Sequence, residues 1–316
     1  MELTGYIEEC SAFAAEWRDA GKDFVVAHTS GSTGTPKEIR LSKNDMATSA
    51  RATNRFFGID SGSLLHLPLS PSYIAGKMMI VRASVAGCAL LAEKPTSSPL
   101  ADYAGRDITL SAVVPSQIPG LLNGKGWMKI DNLIIGGAPL SSATERKLQE
   151  VGLPVYATYG MTETCSHVAL RKLGSELFRA LPGISFSLDE RGCLAIDAPQ
   201  FSFKRVVTND LAELDGGGAF RWLGRYDNVI NSGGIKIIPE VIEERIAPLM
   251  CGVPFYVSSR ESERWGREAV LIVEGGTSPV SLAQLKDELG VICPKEIICE
   301  PKFDRTSSSK IIRRNY

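Results

Sequence analysis

FVVAHTSGSTGTPKEIRL, residues 24–41, opens on a β-prone run from Phe24 to Thr29, crosses the small polar stretch Ser30-Gly31-Ser32-Thr33-Gly34-Thr35-Pro36-Lys37, and resumes as a second strand-like run, Glu38 to Leu41. The loop therefore joins two strands. Upstream, Ile7, Phe13, Ala14 and Trp17 recur at roughly helical spacing, which predicts an amphipathic helix within residues 5 to 19. Downstream, Ser42-Lys43-Asn44-Asp45 offers N-cap chemistry for a helix over Met46 to Phe57. From Leu64 to Leu140 the apolar runs LLHLPL, CALLA, SAVVP and NLIIGG alternate with helical segments, Ala75 to Ala86 and then Ser142 to Val151. That alternation predicts an α/β fold built on a largely parallel sheet covered by helices. Between Pro182 and Trp222 short β-prone runs (ISFSL, CLAID, RVVT, AFRWL) predict an all-β portion, and the tail beyond Gly224-Arg225-Tyr226-Asp227 reads as a small α+β domain.

Composition narrows the partners. The 316 residues are 44% hydrophobic and carry a formal net charge of -1 with no long run of either sign, so the basic footprint of a nucleic-acid binder is missing and small-molecule partners are expected. The first residues carry charges throughout and lack an apolar secretory core, and no stretch is apolar enough to predict stable membrane insertion. Seven cysteines without a CxxC pair suit buried thiols in a reducing cytoplasm, and three isolated histidines suggest no metal site of their own.

The loop from Thr29 to Lys37 offers many backbone N–H groups, several hydroxyls and one cation, a composition able to wrap a polyphosphate. It is not a Walker A loop, because Glu38 follows the lysine where Ser or Thr is required, and a strand follows where a helix N-terminus is needed. Gly136-Gly137-Ala138-Pro139-Leu140 closes a predicted strand with residues small enough for a flat ring to approach, though a simple strand-ending turn has the same composition. Tyr159-Gly160-Met161-Thr162-Glu163-Thr164 supplies an aromatic that can stack on adenine, a hydroxyl that can reach a phosphate, and a carboxylate able to hold Mg2+. Taken singly, Tyr159 reads equally as a core aromatic and Glu163 as a solvated helix charge. Val207-Thr208-Asn209-Asp210 is a turn whose aspartate can accept two hydroxyls, and Arg225 follows fifteen residues later.

In order, these segments and the terminal run Asp304-Arg305-Thr306-Ser307-Ser308-Ser309-Lys310-Ile311-Ile312-Arg313-Arg314 resemble the motifs of the acyl-adenylating superfamily of acyl-CoA ligases, luciferases and nonribosomal adenylation domains. The family usually has glycine where Glu38, Asn209 and Ser309 stand. The resemblance implies the adenylate-forming fold: a large N-terminal domain over residues 1–226 and a small mobile C-terminal domain over 227–316, turning about Asp227. It implies ATP contacts from Thr29, Ser30, Gly31, Ser32, Thr33, Gly34, Thr35, Lys37, Gly137, Ala138, Pro139, Tyr159, Gly160 and Met161. Ribose contacts fall to Asp210 and Arg225, catalysis to Lys310, Glu163 and Thr162, and Mg2+ to Glu163. Gly233 and Gly234, in a loop resembling the one that enters the active site for thioester formation, are implied to let CoA pass.

Within the family, LPLSPSYIAGKMMIVRA, YGMTETCSHVALR and the short stretch ahead of the phosphate loop most resemble the o-succinylbenzoate-CoA ligases of menaquinone synthesis. That implies a compact fold, open to support by homodimerisation. A mixed pocket is expected from Ser70, Ser72, Tyr73, Ser166 and His167 beside Ile74, Met78, Met79 and Val168, suited to an aromatic acid with a second polar substituent. Ser72, Tyr73 and His167 are the expected acid contacts, although His167 reads equally as a structural histidine. A non-catalytic AMP-binding module is the competing class, and retention of Lys310 and Glu163 counts against it.

Overall fold

The computed structural model describes residues 1–6, 8–28, 37–305 and 311–316. The chain begins with β1 (Leu3–Gly5), α1 (Glu8–Arg18), β2 (Phe24–His28), β3 (Glu38–Ser42) and α2 (Lys43–Phe57). β2 and β3 form a separate antiparallel pair, from Phe24 opposite Ser42 to His28 opposite Glu38, so the phosphate-type loop does join two strands. The expected capping chemistry is there, but α2 starts at Lys43 and not at Met46: Ser42 is the cap, its hydroxyl accepting from the Asp45 N–H at 3.4 Å, and Gly58 ends the helix in the left-handed region.

Then come β4 (Leu64–Leu67), α3 (Ile74–Ala86), β5 (Ala89–Ala92), β6 (Leu110–Val113), α4 (Ile118–Asn123), β7 (Leu133–Ile135), α5 (Ser142–Glu150) and β8 (Val155–Met161). Strands 1, 5, 4, 6, 7 and 8 lie side by side in that order, all parallel. Alternate side chains go to opposite faces, which sorts the core in two. Leu65, Leu67, Leu110, Ala112 and Ile134 pack with α1, α2 and α3, whereas Leu64, Val113, Leu133 and Ile135 pack with α4 and α5.

The sheet does not stop where the parallel pattern stops. β9 (Ser166–Lys172), β10 (Phe178–Ala180), β11 (Ser185–Leu188), β12 (Cys193–Ala198), β13 (Lys204–Leu214) and β14 (Ala219–Arg225) continue it antiparallel in the order 9, 10, 14, 13, 12, 11, giving twelve strands. The all-β portion expected from sequence is thus an extension of the parallel half, joined through β8 and β9. A second, five-stranded sheet contains β15 (Ile230–Ser232), β16 (Ile235–Ile237), β17 (Phe255–Ser262), β18 (Gly266–Glu274) and β19 (Ile297–Glu300). Packed with α6 (Pro239–Ile246) and α7 (Leu282–Leu289), it has a core of its own around Ile242, Leu271 and Leu285. Among the described residues no helix is long and apolar enough to cross a membrane.

Candidate active site

β8 is the last parallel strand, and in open α/β sheets ligands gather beyond the carboxyl ends of such strands. Its end carries Tyr159, Gly160 and Met161, then a 3-10 turn of Thr162, Glu163 and Thr164. The turn is tight enough to hold two non-glycine residues, Cys165 (φ 54°) and Ser166 (φ 84°), in the left-handed region. Buried Thr164 holds it there, its hydroxyl oxygen accepting from the Met161 N–H at 2.9 Å, while the Ser49 hydroxyl donates to the Cys165 carbonyl at 3.0 Å. Thr162 is left half-buried and Glu163 exposed, and among the described residues no ion pair engages Glu163. A carboxylate presented in that way fits a metal ion arriving with a phosphate ligand. Gly160 must be glycine: a Cβ there would lie 2.1 Å from the Ser166 carbonyl oxygen.

Three predicted nucleotide residues meet. The Tyr159 hydroxyl donates to Asp210 Oδ2 at 2.7 Å, and Arg225 Nη1 donates to Asp210 Oδ1 at 3.3 Å. Val207 to Asp210, expected as a turn, lie instead inside β13, where Asp210 stands opposite Arg225 of β14, and this pairing sets their approach. Burial and then the adjacent Asp210 charge push the Tyr159 phenol well above its ordinary value, so it stays a donor at neutral pH. Its ring packs edge-on against Phe220, centroids 4.9 Å apart. Asp227 joins from the far side, accepting from Arg225 Nη2 at 3.4 Å and from Asn209 Nδ2 at 3.2 Å. Arg191, which sequence reading did not single out, donates to Asn209 Oδ1 at 3.0 Å and lies 5.1 Å from the Tyr226 ring centroid. Its only signal was the Asp189-Glu190-Arg191-Gly192 turn between two short β runs.

Other predicted residues have local reasons for their identity. A Cβ at Gly136 would meet the Thr158 hydroxyl at 2.5 Å, and Gly137 has φ 89°, so this strand end must be small; Ala138 is half-buried and Pro139 exposed. Gly233 and Gly234 are the two-residue hairpin turn between β15 and β16, both with positive φ. Lys37 lies just ahead of β3, whereas Thr29 to Thr35 and Lys310 fall outside the described residues. Ser72 and Tyr73 are exposed ahead of α3, Ser70, Ile74 and Ser166 are half-buried, and Met78, Met79 and Val168 are core residues.

His167 is 3% exposed and belongs to a buried polar chain that the sequence reading missed. Arg82, on the apolar helix α3, is 1% exposed, and its Nη2 donates to His167 Nδ1 at 3.4 Å. His167 Nε2 in turn lies 3.0 Å from the Thr53 hydroxyl, which donates to the Ser49 carbonyl at 3.2 Å. Because guanidinium only donates, Nδ1 must accept, and the imidazole is neutral with its proton on Nε2. Burial first and the Arg82 charge second hold the His167 pKa well below its ordinary value. Burial also pulls Arg82 down to about 9, which leaves it cationic at neutral pH. Its Nη1 finds only the Met79 sulfur at 3.4 Å, its Nε has no partner, and among the described residues no carboxylate pairs with it. The available signal was two cations, Lys77 and Arg82, in an otherwise apolar helix.

A family model described as AMP-binding enzyme matches residues 8–187. The chain belongs to the AMP-binding enzyme family. It is 25% identical over 335 residues to a 2-succinylbenzoate–CoA ligase of Enterococcus faecalis, covering 92% of this chain and 68% of that protein. Among solved structures, an acyl-CoA synthetase (AMP-forming)/AMP-acid ligase II-like protein from Dyadobacter fermentans is 35% identical, with a TM-score of 0.66 over 97% of this chain and 92% of that one. The Bacillus subtilis O-succinylbenzoate coenzyme A synthetase in complex with ATP and magnesium ion shares the fold at 23% identity, with a TM-score of 0.76 over 91% of this chain and 68% of that one. The chain is accordingly an enzyme of the acid–thiol ligase kind, acting through an acyl-adenylate.

Proposed function

We propose that this ligase activates o-succinylbenzoate with ATP and transfers the acyl group to CoA, a step of menaquinone biosynthesis. The observation that carries the choice of acid is Arg82, a cation buried in the core with no counter-charge among the described residues. Leaving a buried charge unpaired is costly, and a carboxylate delivered by the substrate removes the cost. An acid with two carboxylates meets both needs: one is adenylated, and the other pairs with Arg82 next to neutral His167.

A free carboxylate is a poor acyl donor because its leaving group would be oxide. In the first step its oxygen attacks the α-phosphorus of ATP and pyrophosphate departs; in the second, CoA sulfur attacks the acyl carbon and AMP departs. Like charges meet in the first step, so positioning and charge stabilisation are the enzyme's main levers. In this reading Lys310 bridges carboxylate and α-phosphate, aided by Thr162, while residues 29–37 hold the departing pyrophosphate. Glu163 binds the Mg2+ that accompanies ATP and neutralises phosphate charge. Tyr159, Asp210 and Arg225 form one bonded unit on the nucleoside side, with Gly137, Ala138 and Pro139 bordering the base. Residues 227–316 are read as the small domain, and rotation at Asp227 exchanges Lys310 for the Gly233-Gly234 hairpin and CoA.

Comparing kcat/KM for o-succinylbenzoate, benzoate, 4-coumarate and hexanoate tests the choice of acid. o-Succinylbenzoate is expected to lead. Should one of the other three exceed it, the assignment of the acid is wrong, while the adenylating chemistry stands.

A further inference from the structure

The chain on the two sides of residues 306–310 is fastened at separate points to the five-stranded sheet and α6. Upstream, Glu274 at the end of β18 accepts from the Phe303 N–H through Oε1 at 2.7 Å and from Arg305 Nη2 through Oε2 at 2.8 Å. Downstream, Arg313 grips Glu243 of α6 with both arms of its fork, Nη1 to Oε1 and Nη2 to Oε2, each at 2.7 Å. Glu243 Oε1 also accepts from the Val257 N–H at 2.7 Å, which ties the carboxylate to β17 and leaves its side chain 17% exposed. The two sides are joined to each other: Arg305 and Ile311 form an antiparallel bridge, and the Ile312 N–H donates to the Asp304 carbonyl at 2.9 Å. Beneath them Phe303 is buried, its ring 5.1 Å from Tyr256. Beyond Arg313 the Tyr316 N–H donates to the Ser259 carbonyl at 3.0 Å.

Holding a chain end needs one anchor, and this segment has two bidentate carboxylates, one on each side of the same five residues. A forked pair fixes direction as well as distance, which a lysine or a single hydrogen bond does not. Arg305 and Arg313 flank the lysine assigned to adenylation above, and they spend their guanidinium groups inward on the scaffold. We propose that Arg313, through Glu243, and Arg305, through Glu274, are positioning residues for adenylation, setting where Lys310 is delivered. Neither touches substrate; both act through the placement of the lysine. The proposal rests on Lys310 being the adenylating residue.

Two half-reactions separate placement from mere support of the sheet. One is ATP–pyrophosphate exchange with o-succinylbenzoate, or with the best acid of the panel above if wild type prefers another. The other is thioester formation from the preformed acyl-adenylate and CoA, which does not need the lysine. Arg313→Gln is expected to lower exchange by about 10- to 100-fold, the scale of a misplaced catalytic group, and to leave thioester formation within about twofold. Arg313→Lys, which keeps the charge but not the fork, is expected to recover only part of the exchange. Arg305→Gln, which removes a single hydrogen bond to Glu274 where Arg313 makes a fork with Glu243, is expected to show a smaller loss of the same selectivity, and it serves as the test if Arg313→Gln does not fold. Lys310→Ala is the reference. If it keeps exchange, the reading of Lys310 is wrong at its root; if it loses exchange while the arginine variants keep theirs, only the positioning proposal falls. Equal loss of both half-reactions in a folded arginine variant also overturns it.

Discussion

Two histidines are buried in the large sheet, and they are partnered differently. His66 on β4, with no measurable exposure, donates from Nε2 to Glu93 at 3.0 Å and accepts at Nδ1 from the Ser111 hydroxyl at 2.9 Å. Glu93 also accepts from the Leu100 N–H at 3.0 Å, so every member of that group is satisfied and a carboxylate is included. His167 sits in a more deeply buried group, since Glu93 is partly exposed and Arg82 is not; its charged member, Arg82, has an idle Nε and, among the described residues, no carboxylate. Nearby, Asn54 donates to the Arg82 carbonyl yet leaves its own Oδ1 unpaired. A closed network fixes structure; the open one, with its surplus cation, is where the proposed function puts a substrate carboxylate.

The sharpest way to break this comparison is Arg82→Met. If Arg82 receives a substrate carboxylate, losing one partner of a buried pair costs about 2–4 kcal/mol, a fall of about 30- to 900-fold in kcat/KM for o-succinylbenzoate. The same change removes a buried unpaired charge from the free enzyme, so its melting temperature should hold or rise. Turnover of a monocarboxylic acid such as benzoate, however slow, should change little. A variant that loses stability and every acid together would make Arg82 a structural residue.

Ser111→Ala is the opposite experiment. It strands His66 Nδ1 in the core, and an unsatisfied buried acceptor costs about 1–3 kcal/mol of stability. The expected signature is a lower denaturation midpoint with kcat/KM for the acid within about twofold, since nothing at the nucleotide turn is touched. A selective loss of activity without loss of stability would show that the closed network has a functional role.

How much of this was legible in the sequence depended on the range of the interaction. β2, β3, α2 and α3 follow from local periodicity and caps, and each lies within a few residues of its expected span. The Tyr159, Asp210 and Arg225 unit was within reach only through the family resemblance: taken singly, Tyr159 reads equally as a core aromatic, and it is the order of the motifs that names the three together. What escaped was non-local. Arg82 and His167 are 85 residues apart in the chain and meet only because α3 packs against β9; neither residue alone says that the other will be its partner. The join of the two sheet halves at β8 and β9 was hidden for a related reason. Periodicity reports each strand's faces and says nothing about which strand lies at its edge.

The two histidines also predict how stability responds to acid, and here the comparison yields its smallest effect. Burial lowers the pKa of both below the ordinary 6.5, so both are neutral in the native protein at neutral pH. At pH values between 6.5 and the native pKa, the unfolded chain binds protons that the folded chain does not, so stability is full above 6.5 and is lost as pH falls below it. The slope from each such histidine is at most about 1.4 kcal/mol per pH unit. The two should not contribute equally. Glu93 pulls the His66 pKa back up against burial, whereas Arg82 adds its repulsion to burial at His167, so the His167 window extends further into acid. Melting curves from pH 7.5 to 5 should therefore flatten more in His167→Gln than in His66→Gln. Curves of equal slope in the two variants would mean that the Arg82 charge is already balanced in the free enzyme, and the contrast between the closed and the open network would lose its electrostatic basis.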